Sequence, residues 1–349
     1  MIGDTSSGNR TGRSQRPPRR PTIRDVASAA GVSTATVSRV LNGARSVDPE
    51  LADRVRAAVR DLGYRPSGVA RSLRRRRTTV LCLIISDIRN PFFTDVVRGI
   101  EDHASAAGYS LVLCNADEDV DKEAAYLDLA VAERMAGVII SPSSTRTRLA
   151  PLLERGIPAV AIDRRVQDPV DAVVVESTQA SREATAHLLA AGYRRVACVT
   201  GPDDVTTANE RLAGWRAAHA GAGVAVDEAL VRRADYMEGG GQAAARELLA
   251  LDAPPDAFFV ANGLMAVGVL AALEEAGRTL PQTGLVCFDD PSWARLMHPA
   301  LTAVSQPTYE LGRRAAELVA ARIDGSTAPP QEVTLEPQLR VRDSSTGPA

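Results

Sequence analysis

Four cysteines in 349 residues, Cys82, Cys114, Cys198 and Cys287, are too scattered for a disulfide framework or a metal-ligating cluster. Each lies in or beside an apolar run, which predicts buried, reduced thiols and no metal. No stretch of about 18 apolar residues occurs, so no membrane span is expected. The N-terminus has no apolar segment behind its charges, which argues against a secretory signal and predicts a cytoplasmic protein. Lys122 is the only lysine among 41 basic residues, a bias that fits a GC-rich genome and carries no functional information. Dinucleotide-binding, P-loop and nucleophile-elbow patterns are also missing, so neither an enzyme nor a cofactor is expected. Gly239-Gly240-Gly241 precedes a helical stretch, and reads better as a flexible helix start than as a phosphate loop.

What the chain does have is an uneven distribution of charge. Its net charge is −2, with 45% hydrophobic and 24% charged residues, ordinary for a soluble globular protein. Residues 1–77 hold 17 arginines against 6 acidic residues, a net +11, and the remainder carries −13. A basic block ahead of an acidic body is the footprint of a nucleic-acid module fused to a second body. A solvated basic tail is the alternative. At about 100–200 residues per domain, the length allows two or three domains.

The pattern inside the basic block decides between these readings. Residues 1–21, rich in Gly, Ser, Pro and Arg, have almost nothing to bury and read as a disordered tail. Thr22, with Asp25 three residues on, is a capping-box start. Ile23, Val26, Ala27 and Ala30 then repeat at helical spacing until Gly31 stops the helix. Ser33 can cap a second helix with Val37, Val40 and Leu41 inward, ending at Asn42-Gly43. Thr34, Ala35, Ser38 and Arg39 point the other way. Two short helices about a tight glycine turn match a helix-turn-helix, whose second helix enters the major groove. Asp48-Pro49 opens a third helix with Leu51, Val55, Ala58, Val59 and Leu62 on one face, closed by Gly63.

The wording TIRDVASAAGVSTATVSRVLNG, followed by LGYRPSGVARSL, resembles the headpiece and hinge of the lactose/galactose repressor (LacI/GalR) family. The resemblance is close over some fifty residues and continues through the core to about Ser344. It implies an all-α helix-turn-helix headpiece over 22–65, a hinge over 66–78 and an effector-binding, dimerising core over 79–342, with a tail at 343–349. The core would be α/β, a two-lobed, periplasmic-binding-protein-like body of parallel sheets covered by helices. By this resemblance Thr34, Ala35 and Arg39 take the base-reading positions. Arg39 would pair with a guanine edge, worth about 1–3 kcal/mol of discrimination, or hold a phosphate. Ser33, Thr36 and Ser38 would cap the helix or hold phosphates. In the hinge, Leu73 matches the leucine that wedges between minor-groove base steps, Ala70 lets two hinge helices approach, and Arg74 heads a basic run that contacts phosphate or stays solvated. Gly68 departs from the larger residues expected there and weakens the hinge helix by about 1 kcal/mol relative to alanine.

From Thr79 onward, apolar runs at 80–85, 111–113, 137–140, 159–162, 172–175, 196–199, 257–260, 285–288 and 301–304 alternate with helical stretches. These stretches lie at 93–107, 121–135, 182–191, 211–220, 240–251, 265–276 and 309–324. Short buried strands between helices imply parallel sheets covered on both faces, and there are too many strands for one sheet. Ligands of such sheets bind beyond the carboxyl ends of the strands. The residues just past each run therefore nominate a site: Ser86, Asp87, Asn90, Phe92 and Phe93, then Asp163 and Arg164, a loop ending in Thr207 and Arg211, then Asn262, and Asp289 with Asp290. Hydroxyl-binding side chains with aromatic faces are what a sugar needs.

The family resemblance overlaps this set at Ser86, Phe92, Asp163, Arg211, Tyr236, Asn262 and Asp289, and Arg164 joins them as a weaker candidate. Tyr236 would stack on a sugar ring, and Arg211 and Asp289 would hold hydroxyls through charge-assisted bonds. Plainer roles compete: core packing for Phe92 and Phe93, helix capping for Asp87, Asn90 and Asp290, salt bridges for Asp163, Arg211 and Asp289, and simple exposure for Arg164 and Arg165. Departures from the family pattern are Glu176-Ser177, Gly263 and Cys287. The resemblance implies crossovers near 175–177, 304–306 and 335, with the helix at 309–324 returning to the first lobe. The expected protein is a homodimeric, ligand-responsive regulator, most simply a repressor, that binds pseudo-palindromic operator DNA at the nucleoid and takes a small sugar-like effector. The absence of a heptad tail argues against a coiled-coil tetramer. A ligand-responsive activator or a soluble sugar-binding protein is the alternative.

Overall fold

The computed structural model describes residues 21–41, 48–62 and 78–348. The basic tail, Asn42-Gly43, Gly63 and the hinge with Ala70, Leu73 and Arg74 lie outside the described residues. The chain divides into two compact units, parted after residue 76.

The first unit holds helices α1 (Ile23–Ala30), α2 (Thr34–Leu41) and α3 (Pro49–Asp61). Thr22 and Asp25 close a reciprocal capping box, and Gly31 ends α1 in the left-handed conformation at φ 63°. Ser33 Oγ accepts from Thr36 N at 3.1 Å, and Asp48 accepts from the main-chain N–H groups of Glu50 and Leu51 at the start of α3. Val26, Ala27, Ala30, Val37, Val55 and Ala58 form the core between the three helices. Arg54 of α3 donates to Ala30 O at 2.6 Å, so the third helix also satisfies an orphan carbonyl at the end of the first.

The second unit is two lobes, each built on a six-stranded sheet. The first lobe contains β1 (Val80–Ile85), α4 (Phe92–Ala106), β2 (Ser110–Asn115), α5 (Val120–Ala132), β3 (Gly137–Ile140), α6 (Ala150–Glu154), β4 (Ala159–Ile162) and β5 (Asp171–Val175). The second contains α7 (Ser177–Ala190), β6 (Val196–Thr200), α8 (Thr206–Gly221), β7 (Val231–Arg233), α9 (Glu238–Leu249), β8 (Ala257–Val260), α10 (Gly263–Glu275), β9 (Gly284–Phe288) and β10 (Thr302–Ser305). The chain then returns to the first lobe with α11 (Thr308–Ile323) and β11 (Glu332–Leu335), and crosses once more to β12 (Gln338–Arg340). Strand order is β11-β5-β4-β3-β1-β2 in the first sheet and β12-β10-β9-β8-β6-β7 in the second. Every pairing is parallel except β10 with β12. The chain thus passes between lobes after β5, after β10 and after β11. α11 seats on α4 through glycines: a Cβ on Gly99 would stand 2.2 Å from Tyr309 O, and one on Gly312 would stand 2.1 Å from Val96 O.

Each apolar run of the sequence became a strand, and all but the partly exposed edge strand β2 are buried on both faces, with Leu81, Leu83, Ile85 and Ile139 in one lobe core and Ala197, Val199, Phe258 and Phe288 in the other. The runs do not betray β7, β11 and β12, edge strands of three or four residues with exposed polar positions. Helix α7 begins at Ser177, five residues before the periodic stretch, because the Glu176 carboxylate caps it by accepting from Gln179 N. The segment 343–349, set apart as a tail, proves to be folded at its start. Ser344 and Ser345 are fully buried in a 3-10 turn. Ser344 Oγ accepts from Thr302 N and donates to Leu285 O, while Ser345 Oγ bonds to Thr302 Oγ1 and to His187 Nε2. Small hydroxyls read as solvent-facing in a sequence, but here they close main-chain groups of β9 and β10. All four cysteines are buried free thiols, with Cys82 and Cys114 sulfurs 3.9 Å apart across β1 and β2. No helix among the described residues is long and apolar enough to cross a membrane.

Candidate functional site

On α2, Val37 is buried against α1 and α3, which turns Thr34, Ala35 and Arg39 to the exposed face. Thr36 and Ser38 are half-buried at its flank. The Thr36 hydroxyl is engaged with Ser33 Oγ at 2.9 Å, a capping role. The outward face is thus small and polar around one long cation, a shape that fits a groove of stacked bases.

In the core, the strand ends of the two lobes face each other across a cleft. Ser86, Phe92, Asp163, Arg164, Arg211, Tyr236, Asn262 and Asp289 all line it. So do Asp87, Asn90, Phe93 and Thr207, and three residues that the sequence did not nominate: Glu118, Leu264 and Gln306. Glu118 lies just past β2, so the rule that nominated the others applies to it equally. Gln306 lies on a crossover, where strand-end reasoning gives no signal. Backbone conformation marks the site independently: Glu118, Asp163, Tyr236 and Asp289 have φ of 56°, 63°, 65° and 76°. Left-handed non-glycine residues cost about 1 kcal/mol or more each, and they concentrate where a side chain must be aimed.

Arg211, on α8, donates to Ala261 O at 2.5 Å and lays its guanidinium 3.8 Å from the centroid of Phe288. Its Nε is buried without a partner. Asp289 accepts from Gly263 N and from the Gln306 amide, leaving Gln306 Oε1 buried and unpartnered. Asp87 Oδ1 is taken by Arg89, and its Oδ2 has no partner. The cleft wall therefore carries both donors and acceptors with unused capacity, a costly arrangement in a buried site unless a polar ligand completes it. Burial pushes the Asp163 and Asp289 carboxyls above the usual carboxylate range, against the pull of Arg164 and Arg211 on the first and of Arg211 and Gln306 on the second.

Other nominated residues serve the site indirectly. Arg164 forms a two-pronged pair with Glu118 at 2.6 and 2.7 Å, donates to Pro142 O, and lies 5.2 Å from the Tyr236 ring. Asn262 Nδ2 donates to Tyr236 O while its Oδ1 caps α10 at Met265 N, so it fixes Tyr236 in place. Asn90 Oδ1 accepts from Phe92 N at the start of α4. Asp290 pairs with Arg342 at 2.8 Å instead of capping a helix. Two departures from the family pattern meet at Asp289: Gly263 donates to its carboxylate, and Cys287 Sγ donates to its main-chain oxygen.

The lobes are drawn together at the rim. Thr145 N and Ser144 Oγ of the first lobe donate to Asp204 O and Oδ2 of the second, both at 2.8 Å, and Arg165 N donates to Thr206 Oγ1 at 3.2 Å. The Arg165 guanidinium pairs with Glu210 across the cleft and Glu332 on its own lobe. In this closed arrangement the inner cavity measures about 20 Å³, room for a water and not for a sugar ring.

Residues 22–67 match the model of bacterial regulatory proteins of the lacI family, and residues 78–340 match that of periplasmic binding proteins and the sugar-binding domain of the LacI family. This chain belongs to the LacI family. The ribose operon repressor of Escherichia coli strain K12 is 36% identical over 328 residues, 93% of this chain and 99% of the relative. Among solved structures, a transcriptional regulator CelR–cellobiose complex is 34% identical with a TM-score of 0.72, covering 93% of this chain and 100% of that one. The lac repressor dimer bound to operator and the anti-inducer ONPF is 26% identical with a TM-score of 0.81, covering 94% and 99%. Members of the LacI family are transcriptional regulators, and this LacI-family chain carries both their DNA-binding and their ligand-binding body.

One consequence of the buried carboxylates is measurable. Asparagine tolerates the left-handed backbone of Asp163 and removes a charge that burial disfavours. A carboxylate raised on folding penalises the folded state only while it is ionised, so the penalty grows as pH rises toward and through the raised folded value and vanishes below the unfolded pKa of about 3.9. Asp163→Asn is therefore expected to raise the Tm of the ligand-free protein at pH 7, with a gain that shrinks toward pH 4, and to weaken effector binding. Thermal denaturation at the two pH values checks it, and a Tm that falls at pH 7 would contradict it.

Proposed function

We propose that this chain is a transcriptional repressor whose affinity for a pseudo-palindromic operator is set by a sugar or sugar derivative held between its core lobes. The observation that carries the reading is the convergence of Asp87, Arg211, Asp289 and Gln306, with unused hydrogen-bonding capacity on three of them, in one cleft between two hinged lobes. Ser86, Phe92, Asp163, Arg164, Tyr236 and Asn262 complete that cleft or hold its parts in place. Relatives whose names specify ribose and a complex whose title specifies cellobiose support a sugar.

On DNA, Thr34, Ala35 and Arg39 read bases while Thr36, Ser38 and Arg74 set the register on phosphates. Two hinge segments pair in the minor groove, packing at Ala70 and wedging Leu73 between base steps. Reading a two-fold site calls for a homodimer. The solved repressor dimer on operator supports this. Apolar side chains are exposed on the edge strand β2, where Val112 and Leu113, on opposite faces of the sheet, are each 39% exposed. Effector binding changes lobe closure, closure changes how two first lobes meet, and that decides whether the hinges pair. Because this is linkage, DNA must alter effector affinity by the same factor.

Fluorescence anisotropy on pseudo-palindromic DNA from the gene's own upstream region tests the reading, with salt titrated and a panel of sugars and nucleosides added. Salt-dependent binding that one sugar weakens or strengthens is expected. Specific binding that responds only to a nucleoside would reassign the effector, and the absence of sequence-specific binding would overturn the regulator itself.

A further inference from the structure

We infer that the first lobe carries a second ligand site, outside the cleft, for a free amino acid with a large apolar side chain. A cavity of about 370 Å³ lies between α5 and the segment that leads from β3 into α6, and it shares no lining residue with the cleft. Small-molecule sites span roughly 300–1,000 Å³, and this cavity reaches that range by itself. Val120, Ala124, Leu127, Val131, Pro151 and Leu152 give it an apolar lining. Opposite charges stand on its two sides, Asp121 and Asp128 on α5, Arg146 and Arg148 on the facing segment. Asp121, Asp128 and Arg148 have no side-chain partner among the described residues. Arg146, its side chain 76% exposed, has a 3.4 Å bond to Ser144 Oγ and a 3.3 Å pair with Asp204. These four charges sum to zero, so a simple anion or cation is drawn to one side and repelled by the other. An amino acid answers all three surfaces: its ammonium meets the aspartates, its carboxylate the arginines, and its side chain the apolar lining.

The segment that forms one wall of this cavity also clasps the second lobe. The buried carboxylate of Glu123, on α5, accepts from Ser143 N at 2.6 Å and from Thr147 Oγ1 at 2.5 Å, which fixes the segment against the helix. Asp168 anchors its far end by accepting from Leu149 N at 2.7 Å. Between these anchors Ser144, Thr145 and Arg146 all reach Asp204 across the cleft rim. A ligand carboxylate in the cavity competes with Asp204 for Arg146. Occupation of the site is therefore linked to lobe closure, and the linkage acts in both directions.

The test is calorimetry on the full chain with L-phenylalanine and L-leucine, set against L-alanine, 3-phenylpropionate and phenethylamine. Phenylalanine or leucine is expected to bind. Alanine lacks the apolar body, and the other two lack the amine or the carboxylate; each should bind roughly fivefold weaker or worse, the value of one exposed ion pair. Arg148→Ala and Asp121→Asn, both at exposed positions, should each weaken phenylalanine or leucine by a similar factor. Ala124→Trp fills the cavity from an exposed position on α5, and should abolish amino-acid binding while thermal denaturation shows the fold kept. Asp204→Ala frees Arg146, and should tighten amino-acid binding by roughly fivefold. Failure of both amino acids to bind, a single-charge analogue that binds as tightly, affinity unchanged in both Arg148→Ala and Asp121→Asn, or binding that survives Ala124→Trp overturns the site. Affinity unchanged in Asp204→Ala overturns its link to the clasp.

Discussion

Arg39→Ala is expected to weaken operator binding by on the order of a hundredfold or more. A two-pronged arginine–guanine contact is worth about 1–3 kcal/mol, and a two-fold complex loses it twice. Arg39 stands exposed on α2 with Val37 locked in the core behind it, so the truncation removes the side chain without loosening the headpiece. Anisotropy against operators altered one base pair at a time separates the two roles open to this side chain. A base reader loses most at one position of each half-site, and specificity there relaxes. A phosphate contact loses affinity evenly across sequences and lowers the salt slope by about one per subunit. Unchanged affinity would mean that another element reads the DNA.

Arg211→Ala is expected to abolish the effector response while leaving operator binding in place. The side chain is 4% exposed and is the positive group shared by the two raised carboxylates, Asp163 and Asp289. Its loss removes a donor from the cleft and strips Ala261 O of its partner. An orphaned buried carbonyl costs about 1–3 kcal/mol, so the core should also melt earlier. Arg211→Lys keeps the charge without the planar fork, and should recover part of the melting loss and little of the response. Measuring operator affinity with and without effector, alongside thermal denaturation, checks both halves. A normal response in the alanine variant would place the effector elsewhere.

Much of the architecture is legible in the chain itself. Caps at Thr22, Ser33 and Asp48 and the left-handed glycine at Gly31 are local devices, in which a capping side chain, or at Gly31 the main-chain N–H, reaches main-chain groups two to four residues away. Strands such as β1 and β9, covered on both faces, announce themselves as unbroken apolar runs. The eight cleft residues fall together because a parallel sheet delivers its strand ends to one edge. Edge strands β7, β11 and β12 give no such signal, since one-sided pairing tolerates polar residues. Glu118 stands at a strand end too, but β2 is an edge strand with a short apolar run, and the nearest polar residues mask its end. Gln306 escapes because a crossover carries no periodicity at all.

The sequence by itself determined the division into a basic head and an acidic two-sheet body, the helix that presents Arg39, and which strand ends could meet a ligand. These come from charge, periodicity and short-range capping, all of which act between near neighbours in the chain. Tertiary structure alone decided which of those residues are free to bind and which are spent. Arg164 commits its two terminal nitrogens to Glu118 across 46 residues and keeps only its Nε unpartnered, while Asn262 is committed to Tyr236 across 26 and Asp290 to Arg342 across 52. Arg211, Asp87 and Gln306 keep unpartnered polar atoms in the cleft. The physical reason is that a polar side chain's availability depends on every group the fold brings within about 3 Å of it, and those groups come from strands and loops far apart in the chain.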